Sequence, residues 1–322
     1  MKFLSLILSF SMLFSLAGCS QRDMAKGNNP LNPAFPPKEE VNSEPFVSAP
    51  QVSQPLNEGQ KEALDESAQE PPEEKEDLMH DPLPLTFDTA HLSTFEHKQI
   101  PWGFGPHFNK DDNRSQSCEY LMGKYGDKNA LFIAPKEDVV YLTFDEGYEN
   151  GFTPGILDTL KEKDVKATFF ITGAYFDSQK ELIQRMIDEG HTVGSHSTDH
   201  IDFAKEPVEK GYHDLRNLHE KVRDEFGYEI RYFRFPGGSF SERSLEMVKN
   251  MGYTSVFWSF AYRDWDANDQ MPPDKALAHL VDGLHPGEIL LLHPVGSTNA
   301  EILDDLIDAI RDRGFEIKVL PR

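Results

Sequence analysis

The chain has 322 residues, with 55 acidic side chains against 32 basic ones and a formal net charge of −23. That length admits one large α/β domain with additional segments. The charge excludes a nucleic-acid partner, because phosphate binding needs clustered Lys and Arg.

The N-terminus has the form of an export signal. Lys2 precedes an apolar run from Phe3 to Leu16, too short to span a bilayer comfortably. Leu16-Ala17-Gly18-Cys19 follows and resembles a bacterial lipobox. On that reading residues 1–19 end in a lipidated Cys19, and the protein is an extracytoplasmic lipoprotein held at the cell membrane. Cys118 is then the one thiol left, so no internal disulfide is available, and an inert place in a helix is expected for it.

Residues 20–90 hold half of the 22 prolines and neither Trp nor Tyr. Runs such as Glu70-Pro71-Pro72-Glu73-Glu74-Lys75-Glu76-Asp77 cannot bury a core. This acidic, Pro-rich stretch is expected as a disordered, extended tether, with one folded, monomeric domain over residues 91–322.

Trp102-Gly103-Phe104-Gly105 opens an N-terminal arm that is expected to lie on that domain, and Cys118 to Tyr125 reads as a short helix. A regular alternation follows. The β-branched and aromatic run Val139 to Phe144 predicts a buried strand. Helix is predicted over 156–163, strand over 166–172, helix over 180–188 and strand over 192–195. The series continues with helix 208–226, strand 232–235, helix 242–251, strand 255–260, helix 275–284, strand 288–292 and helix 300–313, and 315–320 closes it. Seven strands with six intervening helices imply a parallel sheet under outer helices, and the length suits a distorted (β/α)7-type barrel.

Chemistry-bearing residues recur at strand ends, where such sheets bind ligands. Asp145 and Glu146 end the first strand, before Gly147. Side chains alternate along a strand, so both carboxylates reach one site only if the chain leaves the strand there. A cation would offset the repulsion between them. His196 and His200 are four residues apart, a spacing that one helical turn would place on one face. Ser197 stands where the metalloprotease pattern needs Glu, so that pattern fails. His196, His200 and Glu146 together fit a catalytic zinc with open positions, and formally also a non-haem iron triad.

Further motifs supply partners. Arg234, in Arg234-Phe235-Pro236-Gly237-Gly238, can orient an ionised Asp145 through a bidentate pair, and Gly237 can offer a backbone N–H to an oxyanion. Asp264 can hold and charge a histidine, and Trp265 can wall off a sugar or acetyl group. His293 is the natural general acid, with Leu291 lining a small apolar slot beside it. His191 and His285 precede strands and so belong at the opposite end of the barrel. His80, His91, His97 and His107 are read as surface residues.

Taken in order, Thr143 to Gly147, His196 to His200, Arg234 to Gly238, Asp264-Trp265 and Leu291 to His293 resemble the polysaccharide deacetylases of carbohydrate esterase family 4, with their NodB homology domain. Tyr141 to Phe144 with Gly147-Tyr148-Glu149-Asn150-Gly151, Phe240-Ser241-Glu242-Arg243, Val256-Phe257-Trp258-Ser259 and Asn299-Ala300-Glu301 are similar to the δ-lactam-biosynthetic branch, which deacetylates N-acetylmuramic acid in peptidoglycan. The resemblance implies that Asp145 is the catalytic base, that His196 and His200 are metal ligands, that Arg234 supports the base, and that His293 is the acid tuned by Asp264. The family's usual second aspartate is Glu146 here, one methylene longer, and Gly237 stands where a bulky residue is common.

The implied activity is hydrolytic de-N-acetylation of a peptidoglycan amino sugar with a divalent metal, zinc, as cofactor and the glycan strand as partner. Two other readings stand beside it. One is a deacetylase acting on peptidoglycan N-acetylglucosamine or chitooligosaccharides. The other is a sugar-binding homologue without catalysis.

Overall fold

A computed structural model describes residues 82–320. The lipobox, Cys19, His80 and most of the tether lie outside those residues. The packed chain begins earlier than its composition suggests. Leu83, Leu85 and Phe87 pack against the core, the Leu83 N–H donates to Glu229 Oε1 at 2.6 Å, and Phe87 stacks on Tyr212 at 4.6 Å. Residues 82–90, expected as part of the tether, are therefore packed on the domain. The alternating apolar side chains Leu83, Leu85 and Phe87 give this stretch surface to bury.

A one-turn helix α1 (Thr89–Leu92) follows. The arm from Ile100, which bridges Phe240, leads to α2 (Gln116–Tyr125), capped by the Ser115 hydroxyl accepting from the Cys118 N–H. Cys118 is fully buried on this helix, and burial pushes its thiol up to about 12, which makes it unreactive.

The alternation proper runs β1 (Ala130–Leu131), β2 (Val139–Glu146), α3 (Thr153–Glu162), β3 (Thr168–Ile171), α4 (Gly173–Ser178), α5 (Lys180–Asp188) and β4 (Thr192–Ser195). It continues with α6 (Val208–Phe226), β5 (Tyr232–Phe233), α7 (Glu242–Asn250), β6 (Thr254–Val256), β7 (Phe260–Ala261), α8 (Pro273–Gly283), β8 (Glu288–Leu292), α9 (Ser297–Asp312) and β9 (Glu316–Ile317).

Every strand pairing is parallel, in the order β1-β6-β5-β4-β3-β2-β8-β7. The two flanks of this sheet belong to one piece of chain. Thr254–Val256 pairs with β5, and after a bend Phe260–Ala261 pairs with β8. At the bend the Phe257 N–H donates to Leu131 O and the Ser259 N–H to Ile289 O. The strand predicted over 255–260 is thus a single kinked segment that curls the sheet into a barrel. β9 pairs with Val139 and Val140, before β3 begins its own pairing at Thr143.

Two apolar layers follow from strand alternation. Val140, Leu142 and Phe144 sit in the large core beneath the helices. Val139 and Tyr141 join Phe170, Tyr232, Val256, Ile289 and Leu320 in a second cluster that plugs the barrel interior. Its top is where the polar residues begin.

Candidate active site

Asp145 is the next inward residue of β2 after Thr143, and only 5% of it is exposed. Arg234, fully buried at the end of β5, donates from Nη1 to Asp145 Oδ1 at 2.8 Å. The pair is monodentate. The rest of the guanidinium is spent on the kinked segment, with Nε donating to Val256 O and Nη2 to Phe257 O, both at 3.1 Å. It also lies over the Phe170 ring at 4.1 Å. A bidentate Asp145–Arg234 pair is therefore not formed, because two carbonyls of the bend hold the other fork positions. Burial pushes the Asp145 carboxyl up, but Arg234, His196 and His293 outweigh it, and the net shift is below the usual carboxylate range.

His196 follows β4. Its Nδ1–H donates to the Arg234 carbonyl O at 3.0 Å. A carbonyl only accepts, so Nδ1 carries the proton and Nε2 carries the lone pair. That Nε2 faces Asp145 Oδ2 at 3.5 Å. The His200 ring stands 5.0 Å from the His196 ring at 72°. Burial lowers both histidines, His200 to about 3, so both present neutral imidazoles. Two neutral imidazoles beside an ionised carboxylate, with a lone pair facing an anionic oxygen, form a donor set suited to a divalent cation.

The histidines meet without a helix between them. Ser197 and His200 both have left-handed backbone, at φ 77° and 52°, and the stretch from 196 to 200 is a loop. Asp214 on α6 gathers that loop. Its carboxylate accepts from the Ser197 hydroxyl at 2.7 Å and from the Thr198 and Asp199 N–H groups at 2.9 Å. The loop also presses on the start of α4, where a side chain at Gly173 would come within 2.6 Å of Thr198 O, so only glycine fits. Sequence reasoning missed Asp214. The available signal was a carboxylate on the apolar stripe of α6, between Gly211, Leu215 and Leu218.

Glu146 is not brought to the histidines. β2 runs through Glu146 before the chain turns, so alternation sends this side chain outward, under the helices. There it is fully buried, with both carboxylate oxygens 3.4 Å from the Thr153 hydroxyl at the start of α3. Burial, with Glu149 nearby, raises its pKa well above the ordinary glutamate value. Among the described residues no cluster of three or more His, Cys, Asp or Glu side chains is arranged to hold a metal. Short of such a cluster, His196 and His200 beside Asp145 are the donors that face one another, and the expected ligation by Glu146 is corrected, because its carboxylate lies against Thr153 on the other face of β2.

Across the mouth, His293 follows β8. Its Nδ1–H donates to Asp264 Oδ1 at 2.7 Å and its backbone N–H to Asp264 Oδ2 at 2.8 Å. Asn299, on α9, donates from Nδ2 to Asp264 Oδ2 at 2.7 Å and to His293 O at 3.0 Å, and accepts from the Tyr262 hydroxyl at 2.5 Å. Burial lowers the His293 pKa, but the Asp264 carboxylate outweighs it and the net shift is upward. Asn299 was not among the predicted site residues, although it too is a polar residue on an apolar stripe, with Ile302, Leu303 and Leu306.

Trp265 is half-buried, its ring edge-on to His293 at 6.1 Å and 72°. Leu291 is 5% exposed, two residues before His293 on the same strand face. Gly237, at φ 63°, lies half-buried in the short turn that follows Arg234. The histidines placed away from this mouth are structural. The His191 Nδ1 accepts the Ala167 N–H at 3.1 Å, and the fully buried His285 shares Ser259 and Gly283.

Residues 133–256 match the family model for polysaccharide deacetylase. The chain is 39% identical to the peptidoglycan-N-acetylmuramic acid deacetylase PdaA of Bacillus subtilis, over 73% of this chain and 89% of that protein. It is 35% identical to the peptidoglycan-N-acetylglucosamine deacetylase PgdA of Listeria monocytogenes, over 55% of this chain and 37% of that protein. The solved structure of Bacillus subtilis PdaA, a family 4 carbohydrate esterase, superimposes with a TM-score of 0.66 over 70% of this chain and 96% of the other. By sequence and by fold the chain belongs to the polysaccharide deacetylases of carbohydrate esterase family 4, hydrolases of amide bonds.

Proposed function

We propose that this protein removes the acetyl group from N-acetylmuramic acid in peptidoglycan, towards muramic δ-lactam, while tethered at the outer face of the cell membrane through Cys19. One observation carries the chemistry. Asp145 and His293 stand within electrostatic reach of one another, the Asp145 carboxyl shifted down beside Arg234 and the His293 imidazole shifted up beside Asp264. That is the division of labour that amide hydrolysis needs. The choice of sugar rests on similarity to the muramic deacetylase across nearly the whole of that protein.

A divalent cation, zinc by the nitrogen donors on offer, would be held by His196 and His200 and would polarise the acetyl carbonyl and acidify a water. Asp145 accepts the proton of the attacking water, and Arg234 keeps it ionised and aimed. The Gly237 N–H faces the oxyanion as the carbonyl carbon becomes tetrahedral. Leu291 and Trp265 enclose the acetyl methyl. His293 Nε2 then gives its proton to the leaving amine, while Asp264 and Asn299 fix the ring. Acetate and a free amino sugar result.

Mass spectrometry of muropeptides before and after treatment tests the reading. The expected result is a loss of about 42 Da, one acetyl group exchanged for hydrogen by amide hydrolysis, from the muramic residue. The same loss from glucosamine would move the assignment to the other sugar, and no loss at all would favour a binding role.

A further inference from the structure

The loop between β7 and α8 carries Asp264 and Trp265, and one side chain closes it. Gln270 Nε2 donates to the Asp264 carbonyl O at 2.9 Å and to the Asp266 carbonyl O at 2.7 Å. The two accepting carbonyls flank Trp265. Both Nε2 protons are thereby used, while Oε1 is buried with no hydrogen-bond partner among the described residues. The polar contribution of this amide therefore runs through Nε2 alone.

The same amide rests on the segment that follows His293. A Cβ at Gly296 would stand 2.2 Å from Gln270 Cδ, 2.3 Å from its Oε1 and 2.6 Å from its Nε2. Gly296 has φ −130°, an extended backbone open to any residue. Glycine is needed there for the close approach of the amide and not for its conformation. A little further along both segments, the Thr298 hydroxyl donates to Met271 O at 2.9 Å. The Asp264 loop and the His293 loop are thus stitched together beyond the bonds that Asp264 itself makes.

These contacts complete the hold on Asp264. Its carboxylate accepts from the His293 backbone N–H, the His293 ring and Asn299. Those bonds fix the carboxylate to the ring, and the Gln270 bond fixes the backbone from which the carboxylate projects. The charged groups facing His293 are Asp264, Asp145 and Arg234. The last two oppose one another in sign, and burial holds the nearby His196 and His200 neutral. Asp264 is the one in hydrogen-bond contact with the ring, so its placement governs how firmly the ring keeps its proton.

We propose that Gln270 is a positioning residue for the acid of the reaction: its amide locks the Asp264 loop onto the His293 segment at Gly296, and so holds the carboxylate against the imidazole. Gln270 touches no reacting atom and acts through Asp264. The hold matters because a group misplaced by about 1 Å can cost on the order of 100-fold in rate. The inference rests on the reading of His293 as the acid and adds to it the part that keeps the pair in register.

The test uses the zinc-loaded full chain. Gln270→Met keeps the length of the side chain and deletes the two donated bonds. Its kcat should fall about 10- to 100-fold, and the basic limb of its pH–rate profile should move to lower pH as the carboxylate loosens its hold on the ring. Histidine-selective NMR titration of His293 should show the same downward shift without turnover, and metal affinity should match the wild type. Gly296→Ala drives the amide from its place and should reproduce both changes, which keeps the test open should Gln270→Met fold poorly. In a Gln270→Ala chain, where the amide is gone, Gly296→Ala should add nothing. An unmoved His293 titration in Gln270→Met and Gly296→Ala would overturn the proposal and leave the acid assignment standing. So would a loss confined to KM, which would mean that the amide serves only the Trp265 wall. A basic limb that survives His293→Ala would overturn the acid assignment itself, and the proposal with it.

Discussion

Asp145 and Glu146 are neighbours in sequence and stand on opposite faces of β2, Asp145 against Arg234 inside the barrel and Glu146 against Thr153 beneath the helices. Two adjacent carboxylates therefore serve different ends. Glu146→Gln should retain metal affinity and turnover within about twofold, since the buried carboxyl has a raised pKa and an amide is its closest neutral match. Asp145→Asn should keep the fold and abolish acetate release. Metal titration and acetate assays on the two variants decide the matter, and a large loss of metal affinity in Glu146→Gln would return this residue to the cation.

Asp214 touches no reacting atom but arranges the backbone between the two histidines. It accepts three donors at once, which an asparagine with one acceptor oxygen cannot do. Asp214→Asn should weaken metal affinity by about 10- to 100-fold, the usual effect of removing an outer partner. Competition with a chelating dye measures it.

The pH–rate profile should be bell-shaped, with its basic limb set by His293. The Asp264 carboxylate raises the pKa of this histidine against burial, so Asp264→Asn should shift the basic limb to lower pH. His293→Ala should cost about 10²- to 10⁴-fold in kcat and remove that limb. A limb unmoved in Asp264→Asn would break the assigned pairing.

Stability should fall on mild acidification, and His191 supplies part of the fall. Burial holds it neutral, with a pKa lowered to about 4 from the ordinary 6.5. Its contribution is complete above pH 6.5 and is lost as the pH falls through 6.5, because the unfolded chain binds the proton first. The loss levels off below about 4. His191→Asn keeps an acceptor for the Ala167 N–H but cannot titrate. Between pH 7 and 5 its urea-derived stability should fall by about 2 kcal/mol less than that of the wild type.

A chain beginning at His91 loses Leu83, Leu85 and Phe87 from the core margin. It should be less stable by about 2–4 kcal/mol than one beginning at Pro82, on the scale of three partly buried side chains. Thermal unfolding of the two chains separates them. Equal melting temperatures would mean that the segment packs without stabilising.

The strands that carry the site were legible because each is a continuous apolar run ending in a polar motif. Val139–Glu146 and Glu288–Leu292 are buried throughout, and Asp145 and His293 sit where those runs stop. The kink between Val256 and Phe260 was not legible, since its partners Leu131 and Ile289 are remote in sequence. β1 is too short to show a period. The four-residue histidine spacing suits a helical turn and a left-handed loop equally. No glycine marked the loop, because the residues with positive φ are Ser197 and His200.

The kinked segment links folding to competence. Arg234 is held by the carbonyls of Val256 and Phe257, the residues at which one flank of the sheet turns towards the other. Until that seam is drawn together, the guanidinium has no cradle and Asp145 no fixed partner. The base is thus assembled from strands distant in sequence, contacts that form late because their loop closure is slow. During refolding, secondary structure would return first. The power to release acetate would arrive with the last long-range step.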